Sequence, residues 1–421
     1  MNISSVQRRY FVYVMGFVCF LYSNAVAVET EEHKRLFFWG LTSVEQALRT
    51  DDEETKQKLL ELAVASFREI LVEEPEQLRV RLELARALFL QNKDDLAKVH
   101  FERVLANNPP PMVKANIIEF LNKIHDRRSF RGFYGFQVVK ESNINSESDE
   151  NTIVLHSLLF TKDDYEPKAE TGITFTGVGI YRHSILDNVD FLTELGLSHT
   201  EFSGSEYDRT SFDFLPGFEY KLNNQTGLVL QGSFTSNFNN NSPNHKLGGR
   251  LRLQHEMNFR TNLEIKLDFG KRYYNSPEYS DHNSDEYELG FDVNHRLTPT
   301  LTLTGGISVA RTHVKNNPDQ SNKNLQLVAG ISALLRSGYT LGFSVGNSNT
   351  SYKGQPGVLE TKDGLARKDD LLILEASVLH RNLTIWGFSP QLALIHIKLK
   401  SNAQASKYKN ILTQLNMVKQ F

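Results

Sequence analysis

Apolar and polar residues alternate along the chain from Gly132 to its C-terminus. The run Asn262–Phe269 shows the pattern most clearly, because apolar side chains occupy every second position between polar or charged ones. Similar runs are Leu228–Phe234, Leu251–His255, Leu301–Val309, Leu341–Val345 and Leu372–Val378. Successive side chains of a β-strand point to opposite faces, so each run predicts a strand with one apolar and one polar face.

Two architectures share this alternation: a soluble β-sandwich, whose apolar face lies in a core, and a transmembrane β-barrel, whose apolar face contacts lipid. The polar face carries full charges, such as Glu264, Lys266 and Asp268, which suits a water-filled lumen. The last residue is the aromatic Phe421, which is similar to the C-terminal sorting signal of outer-membrane barrels. Together with the lengths of the connections, these features favour the barrel.

The connections between predicted strands alternate in length, and this alternation gives the strand number. Six are short and turn-like: His183–Asn188, Asn223–Asn224, Asn258–Arg260, Leu297–Pro299, Arg336–Gly338 and Arg381–Thr384. Seven are longer and polar: Glu141–Glu170, Glu201–Asp208, Phe238–Asn244, Asn275–Asn283, Lys315–Asn322, Ser351–Lys368 and Ser401–Lys407. Short turns belong in the periplasm and long loops outside. If the first strand, Gly132–Lys140, rises outward, the sequence predicts 14 antiparallel strands, with Asn151–Phe160 as a hairpin arm inside the first extracellular loop.

Residues 1–27 are predicted to form a secretory signal peptide. Arg8 and Arg9 precede a short apolar stretch, Tyr10–Leu21, and Ala25–Ala27 supplies a small-residue cleavage site. The only cysteine, Cys19, lies inside this segment, so the mature protein would have no disulfide and no thiol chemistry.

Residues 28–130 have a helical pattern that repeats. Apolar and small residues recur at spacings of three and four, and one set of four reappears displaced by 34 positions. The eight positions are Ala63, Phe67, Leu71, Pro75, Ala97, Phe101, Leu105 and Pro109. A period of 34 predicts tetratricopeptide-like helix pairs in which these residues pack the core. The expected architecture is therefore an α+β multidomain chain: a periplasmic helical domain (28–130) before an outer-membrane barrel (131–421).

The sequence offers little sign of catalysis, cofactor binding or metal binding. No histidine cluster has metal-ligand spacing, and neither a nucleophile elbow nor a nucleotide-binding loop occurs. Ser377 and His380 are the nearest local pair of catalytic residue types, but a spacing of three places them on opposite faces of a strand. The net charge of −3 does not favour nucleic-acid binding. We expect a protein that is not an enzyme.

The stretch Arg127–Phe130, followed by Gly132–Gly135 and Glu141–Asn145, resembles the start of the barrel in the surface lipoprotein assembly modulators, the Slam proteins of the type XI secretion system. The helical stretches Val80–Leu88 and His100–Leu105 are similar to the repeats of that family. The resemblance covers nearly all of the predicted mature chain and includes the order of its domains.

This resemblance implies that the barrel exports a specific protein cargo, either a surface lipoprotein or a secreted protein that captures haem or iron. Cargo or a periplasmic chaperone would be received by the helical domain, and the barrel-assembly machinery and outer-membrane lipids would be further partners. Asn143 and Asn145 match the family's barrel-start motif, where they would organise the first extracellular loop. Two alternatives remain open from the residues: a porin-like solute channel, suggested by the charged lumen, and a surface-interaction barrel acting through its loops.

Overall fold

The structure is a computed structural model that describes residues 31–127, 129–155, 158–161, 166–186, 188–223, 225–239, 242–355, 361, 364–380 and 383–420. The predicted signal peptide and Phe421 lie outside these residues.

Five helices precede the first strand in the described part of the chain: α1 Glu31–Arg49, α2 Glu53–Glu73, α3 Leu78–Leu90, α4 Asp94–Leu105 and α5 Pro111–Arg127. The Asp52 side chain caps α2 by accepting the backbone N–H of Thr55 at 2.9 Å. Asn92 and Asn108 follow α3 and α4 with φ of 59° and 53°, a left-handed conformation in which asparagine often ends a helix.

The helices share one apolar core. Phe67 and Phe101 have no exposed surface, and the ring of Phe101 stacks on that of Phe120 at 5.1 Å. Gly40 lets α1 approach the ring of Phe67 closely. A Cβ at Gly40 would come within 2.5 Å of that ring. Ala63, Leu71, Ala97 and Leu105 are buried in the same core. The structure thus buries the six repeated positions other than the prolines, while their assignment as tetratricopeptide repeats stays a prediction.

Fourteen strands of the described chain form a closed antiparallel barrel, each paired with its neighbour along the sequence. The barrel strands are β1 Phe130–Glu141, β4 Glu170–Leu186, β5 Val189–Phe202, β6 Arg209–Asn223, β7 Thr226–Asn239, β8 Asn244–Asn258, β9 Thr261–Tyr274, β10 Ser284–Arg296, β11 Leu301–Val314, β12 Asn322–Leu334, β13 Tyr339–Tyr352, β14 Lys368–His380, β15 Ser389–Ser401 and β16 Tyr408–Gln420. The predicted number of strands and their antiparallel arrangement are confirmed.

The segment Asn151–Phe160 does not enter the barrel. It contributes to a separate two-stranded sheet, β2 Thr152–Leu155 and β3 Leu158–Thr161, in the first long connection, as predicted. One predicted turn is too short: the connection Arg381–Thr384 extends to Phe388, because Ile385 and Phe388 close a tight turn in which Trp386 and Gly387 have positive φ.

The outer face of the barrel is apolar, and much of the inner face is polar. On β9, for example, Ile265 and Phe269 are exposed on the outside, whereas Glu264, Lys266 and Asp268 line the interior. Other large apolar side chains exposed on the outside are Phe175, Leu197, Leu289, Val309, Leu327 and Leu394. A closed ring with an apolar exterior satisfies its backbone hydrogen bonds inside a bilayer, so the chain is an outer-membrane barrel. Among the described residues, no helix combines the length and the apolar character that a membrane span requires.

The ring closes where β1 meets β16, a junction that we call the seam. It contains nine residue pairs, from Phe133–Gln420 to Glu141–Leu412, against twelve pairs between β1 and β4. On the outside, Phe388 reaches over β16 to β1, with ring centroids 5.7 Å from Tyr134 and 5.8 Å from Phe136. Aromatic contacts therefore link β15 to β1 across the periplasmic end of the seam.

Gly135 permits the close approach of the two strands at the seam. A Cβ at this position would lie 2.3 Å from the backbone oxygen of Met417, whereas a Cβ at Gly177 on the neighbouring strand would meet nothing within 4 Å. Only a shift of the β16 backbone would make room for a side chain at position 135.

We predict that Gly135→Ala destabilises the barrel by about 1–3 kcal/mol, the usual cost of overpacking. The temperature at which the folded band disappears in semi-native electrophoresis should fall. Gly177→Ala is the matched control and should leave that temperature unchanged; equal behaviour of the two variants would contradict the role given to Gly135.

Candidate functional site

The barrel encloses a cavity of about 1350 Å³. One wall, formed by β5 to β9, carries charged side chains that include Glu194, Arg250, Arg252, Lys266 and Asp268. The residues from which the sequence predicted a wet lumen, Glu264, Lys266 and Asp268, line this cavity.

The charges of this wall are largely paired with one another. Arg250 contacts Asp268 at 2.7 Å, and Arg252 contacts Glu194 at 2.5 Å across the two intervening strands, β6 and β7. Arg272 and Lys246 both contact Glu286, at 2.6 and 3.1 Å. Pairing reduces the field that a passing charged group would meet in the lumen.

The first extracellular connection, residues 142–169, is called loop 1 below. Asn143 fixes its start to the far side of the seam: its backbone N–H donates to Oδ1 of Asn410 at 3.0 Å, and its Nδ2 donates to the backbone oxygen of Lys409 at 3.0 Å. The same amide group exchanges two hydrogen bonds with the backbone of Glu147, at 2.9 and 3.0 Å. Asn143 is only 3% exposed, so these bonds replace those to water that it loses.

Asn145 connects the two ends of loop 1. Its Nδ2 donates to the backbone oxygen of Glu166 at 2.9 Å, and its Oδ1 accepts the backbone N–H of Lys168 at 2.9 Å. Ion pairs then join loop 1 to Lys409 of β16 and to Lys407 just before that strand. Asp149 contacts Lys409 at 2.6 Å, and Glu150 contacts Lys407.

Two loop groups have shifted pKa values. Burial raises the pKa of the Glu147 carboxyl, against the opposing charge of Lys168. A hydrogen bond with Tyr207, followed by the charges of Tyr207 and Glu206, raises the pKa of Lys168. Lys168 therefore remains protonated at neutral pH and supports the closed arrangement of loop 1 beside Tyr207.

The helical domain reaches across the periplasmic opening of the barrel. Helix α5 leads into β1, yet α4 contacts the diametrically opposite strand, where Glu102 meets Arg296 of β10 at 2.5 Å. The backbone oxygen of Ala106 accepts a hydrogen bond from Arg260. Lys114 lies 4.5 Å from the ring centroid of Phe259, which packs on the helical core. The domain is therefore joined to both sides of the opening.

The structure separates the residue types that could suggest catalysis. Ser377 lies on the lumenal face with Glu375, whereas the ring of His380 packs edge-on against Tyr339 at 4.9 Å. Within the described ranges, no group of three or more His, Cys, Asp or Glu residues has the arrangement of a metal site.

The sequence profile of one family, described as "Surface lipoprotein assembly modifier", matches residues 131–421, which is more than half of the chain. The chain belongs to this family. The match covers the barrel. This family is also the one that the barrel-start motif of the chain resembles.

Two relatives in the surface lipoprotein assembly modifier family are similar to this chain over about four-fifths of its length. "Surface lipoprotein assembly modifier 1" of Haemophilus influenzae is 22% identical over 362 residues, which cover 82% of this chain and 71% of that protein. The protein of the same name from Neisseria meningitidis serogroup B is 23% identical over 378 residues, covering 82% and 70%. Among solved structures, the outer membrane channel DcaP of Acinetobacter baumannii is 8% identical, with a TM-score of 0.40, and covers 69% of this chain and 97% of that one.

One feature of this family member was not predicted from its sequence: the lumen also has an apolar wall. Inward-facing side chains of β1, β14, β15 and β16 form a buried cluster with Phe202: Val139, Ile373, Ile397, Leu399, Tyr408 and Leu412. The signal in the sequence was the unbroken apolar run Leu371–Leu374, since strands covered on both faces lose their alternation.

We predict that Asn143→Ala loosens loop 1, because three hydrogen bonds of its side chain are lost at about 0.5–1.5 kcal/mol each. Protease added outside proteoliposomes should cleave loop 1 at least about tenfold faster, because a free-energy change of about 1.4 kcal/mol shifts the equilibrium of loop opening tenfold. Asn349→Ala is the control, because that side chain donates only outside the lumen, to Asn347. Equal cleavage rates would show that Asn143 does not hold the loop.

Proposed function

We propose that this member of the surface lipoprotein assembly modifier family exports a specific protein cargo across the outer membrane. The cargo is a surface lipoprotein or a secreted protein that captures haem or iron. The names of the relatives, which refer to surface lipoprotein assembly, support this proposal.

The observation that carries the proposal is the position of the helical domain. A solute channel needs an open periplasmic mouth, whereas here the helices span the mouth from β1 to Arg296 on the opposite strand. A domain in that position meets any chain before it reaches the lumen. It is therefore suited to receive cargo, or a chaperone that carries cargo, from the periplasm.

The size of the lumen limits the conformation in which cargo can cross. A domain of 100 residues has a radius of gyration of about 13 Å, far too large for a cavity of about 1350 Å³. Cargo that uses the lumen would pass as an extended chain and fold outside. Folding on the outside would supply a driving force without ATP, which the periplasm lacks. The barrel-assembly machinery would insert the barrel itself.

In this proposal the barrel guides a chain and carries out no covalent chemistry. The separation of Ser377 from His380 supports this view. The solute channel is the second candidate, and the charged wall around Arg250 and Asp268 favours it. High, steady conductance of the purified protein in planar bilayers would support the channel over the exporter.

We predict that deletion of the gene abolishes surface display of a lipoprotein encoded beside it, while the cellular amount of that lipoprotein stays the same. Antibody labelling of intact and lysed cells measures the two quantities, and the full chain supplied on a plasmid should restore display. Normal display in the deletion strain would refute the export function.

A charge exchange tests the position of the helical domain. Arg296→Glu places two carboxylates together and should lower cargo display at least about fivefold, since like charges at an interface cost several kcal/mol. Adding Glu102→Arg should restore display. Lys353→Glu, the same charge reversal at an exposed extracellular residue, is the control. Failure of the double variant to restore display would indicate that the contact does not position the helices.

A further inference from the structure

The apolar wall of the lumen is already occupied by a residue of loop 1. Ile144 is 6% exposed and belongs to the same buried cluster as Val139, Ile397 and Tyr408. Its backbone N–H donates to the backbone oxygen of Lys168 at 2.8 Å, so the segment is held as it passes over the lumen. A side chain of an extracellular loop therefore reaches into the barrel interior.

The hydrogen bonds of the flanking asparagines fix Ile144 in this position. Asn143 joins the segment to Asn410 and Lys409 on β16, and Asn145 joins it to Lys168. The apolar wall is thus covered by one apolar side chain, that of Ile144, whose neighbours in the sequence, Asn143 and Asn145, are polar. Ile144 also borders a small cavity of about 20 Å³ beside Ile397 and Tyr408, so the fit leaves space around it.

The apolar wall continues beyond the part that Ile144 covers. Val139, Ile373, Ile395 and Leu412 also line the main cavity. Val139, Ile373 and Leu412 are at most 8% exposed. Burial of apolar surface is worth about 25 cal/mol per Å², so an apolar side chain that takes the place of Ile144 against this wall regains the free energy of that contact.

We propose that this apolar wall is the contact site for apolar side chains of an extended polypeptide in the lumen, and that Ile144 is a built-in occupant which the polypeptide displaces. This inference rests on the proposed export function and names the surface that the cargo touches. The chain's own segment indicates the chemistry of the ligand: an apolar side chain flanked by polar residues. Displacement of Ile144 would free the extracellular end of the lumen when cargo fills it.

The first test measures the conductance of the purified full chain in planar bilayers. Ile144→Ser should increase the ratio of open to closed states at least about tenfold, because a buried isoleucine side chain is lost. Ile144→Val should behave as the unchanged protein. Ile153→Ser, the same substitution at a buried residue of loop 1 that does not line the cavity, is the control. If Ile144→Ser does not yield a folded barrel, Ile144→Ala replaces it.

The second test adds a peptide to the Ile144→Ser protein at millimolar concentration. The probe is the loop's own sequence, acetyl-Glu-Ser-Asn-Ile-Asn-Ser-Glu-amide, and the control peptide has serine in place of isoleucine. The isoleucine peptide should reduce conductance and the serine peptide should not. Adding Ile397→Thr to the barrel should abolish this block. Unchanged conductance of Ile144→Ser, or equal effects of the two peptides, would overturn the proposal.

These outcomes are separate from the test of export. If the peptide blocks but the deletion strain displays its lipoprotein normally, the wall binds polypeptide and the export function fails. If display is lost in the deletion strain but neither peptide blocks, export stands and the proposed contact site fails.

Discussion

Closure of the backbone hydrogen-bond ring at the β1–β16 seam is the constraint on which the rest of this structure depends. In hydrocarbon an unpaired strand edge costs several kcal/mol per exposed peptide group, so the first strand must find the last. An antiparallel ring that closes in this way has an even number of strands and both ends on one side. Gly135 lets the two strands approach where a Cβ would strike the backbone of Met417. Because closure places both ends of the barrel segment on one side, the helices before β1 lie at the same opening of the barrel as the end of β16.

The seam also connects the two ends of the molecule. At its extracellular end, Asn143 crosses from loop 1 to Asn410 and Lys409 of β16, and at its periplasmic end Phe388 crosses to Tyr134. Strand β1 is preceded directly by α5, so the seam strand is the covalent continuation of the helical domain. A force that moved the helices would act first on the strand that holds loop 1. A single strand, β1, therefore connects the helical domain to loop 1.

The sequence predicted the features that depend on local pattern and missed those that depend on contacts between distant residues. Alternation and loop length were sufficient for the strand number and for the exclusion of Asn151–Phe160 from the ring. The turn to Phe388 was missed because its length is set by aromatic contacts with β1, more than 250 positions away. Asn143 was singled out by resemblance, but its partner Asn410 is 267 positions away, a pairing that only ring closure creates. The run Leu371–Leu374 indicated that β14 has a second apolar face. Because a water-filled lumen was predicted, however, there was no reason to expect a loop segment that covers this face.

The two walls of the lumen suit a chain that must enter and then leave. Conduction through a pore requires binding that is favourable but weak and spread over several sites. On the charged wall, Arg250 and Arg252 are held by Asp268 and Glu194, which weakens the attraction of these four groups for a charged side chain of a passing polypeptide. On the apolar wall, contact is non-directional and grows with area, and each side chain can move to the next apolar residue at little cost. The division of the lumen into a paired-charge wall and an apolar wall therefore suits the movement of polypeptides of varied sequence, as the proposed export function requires.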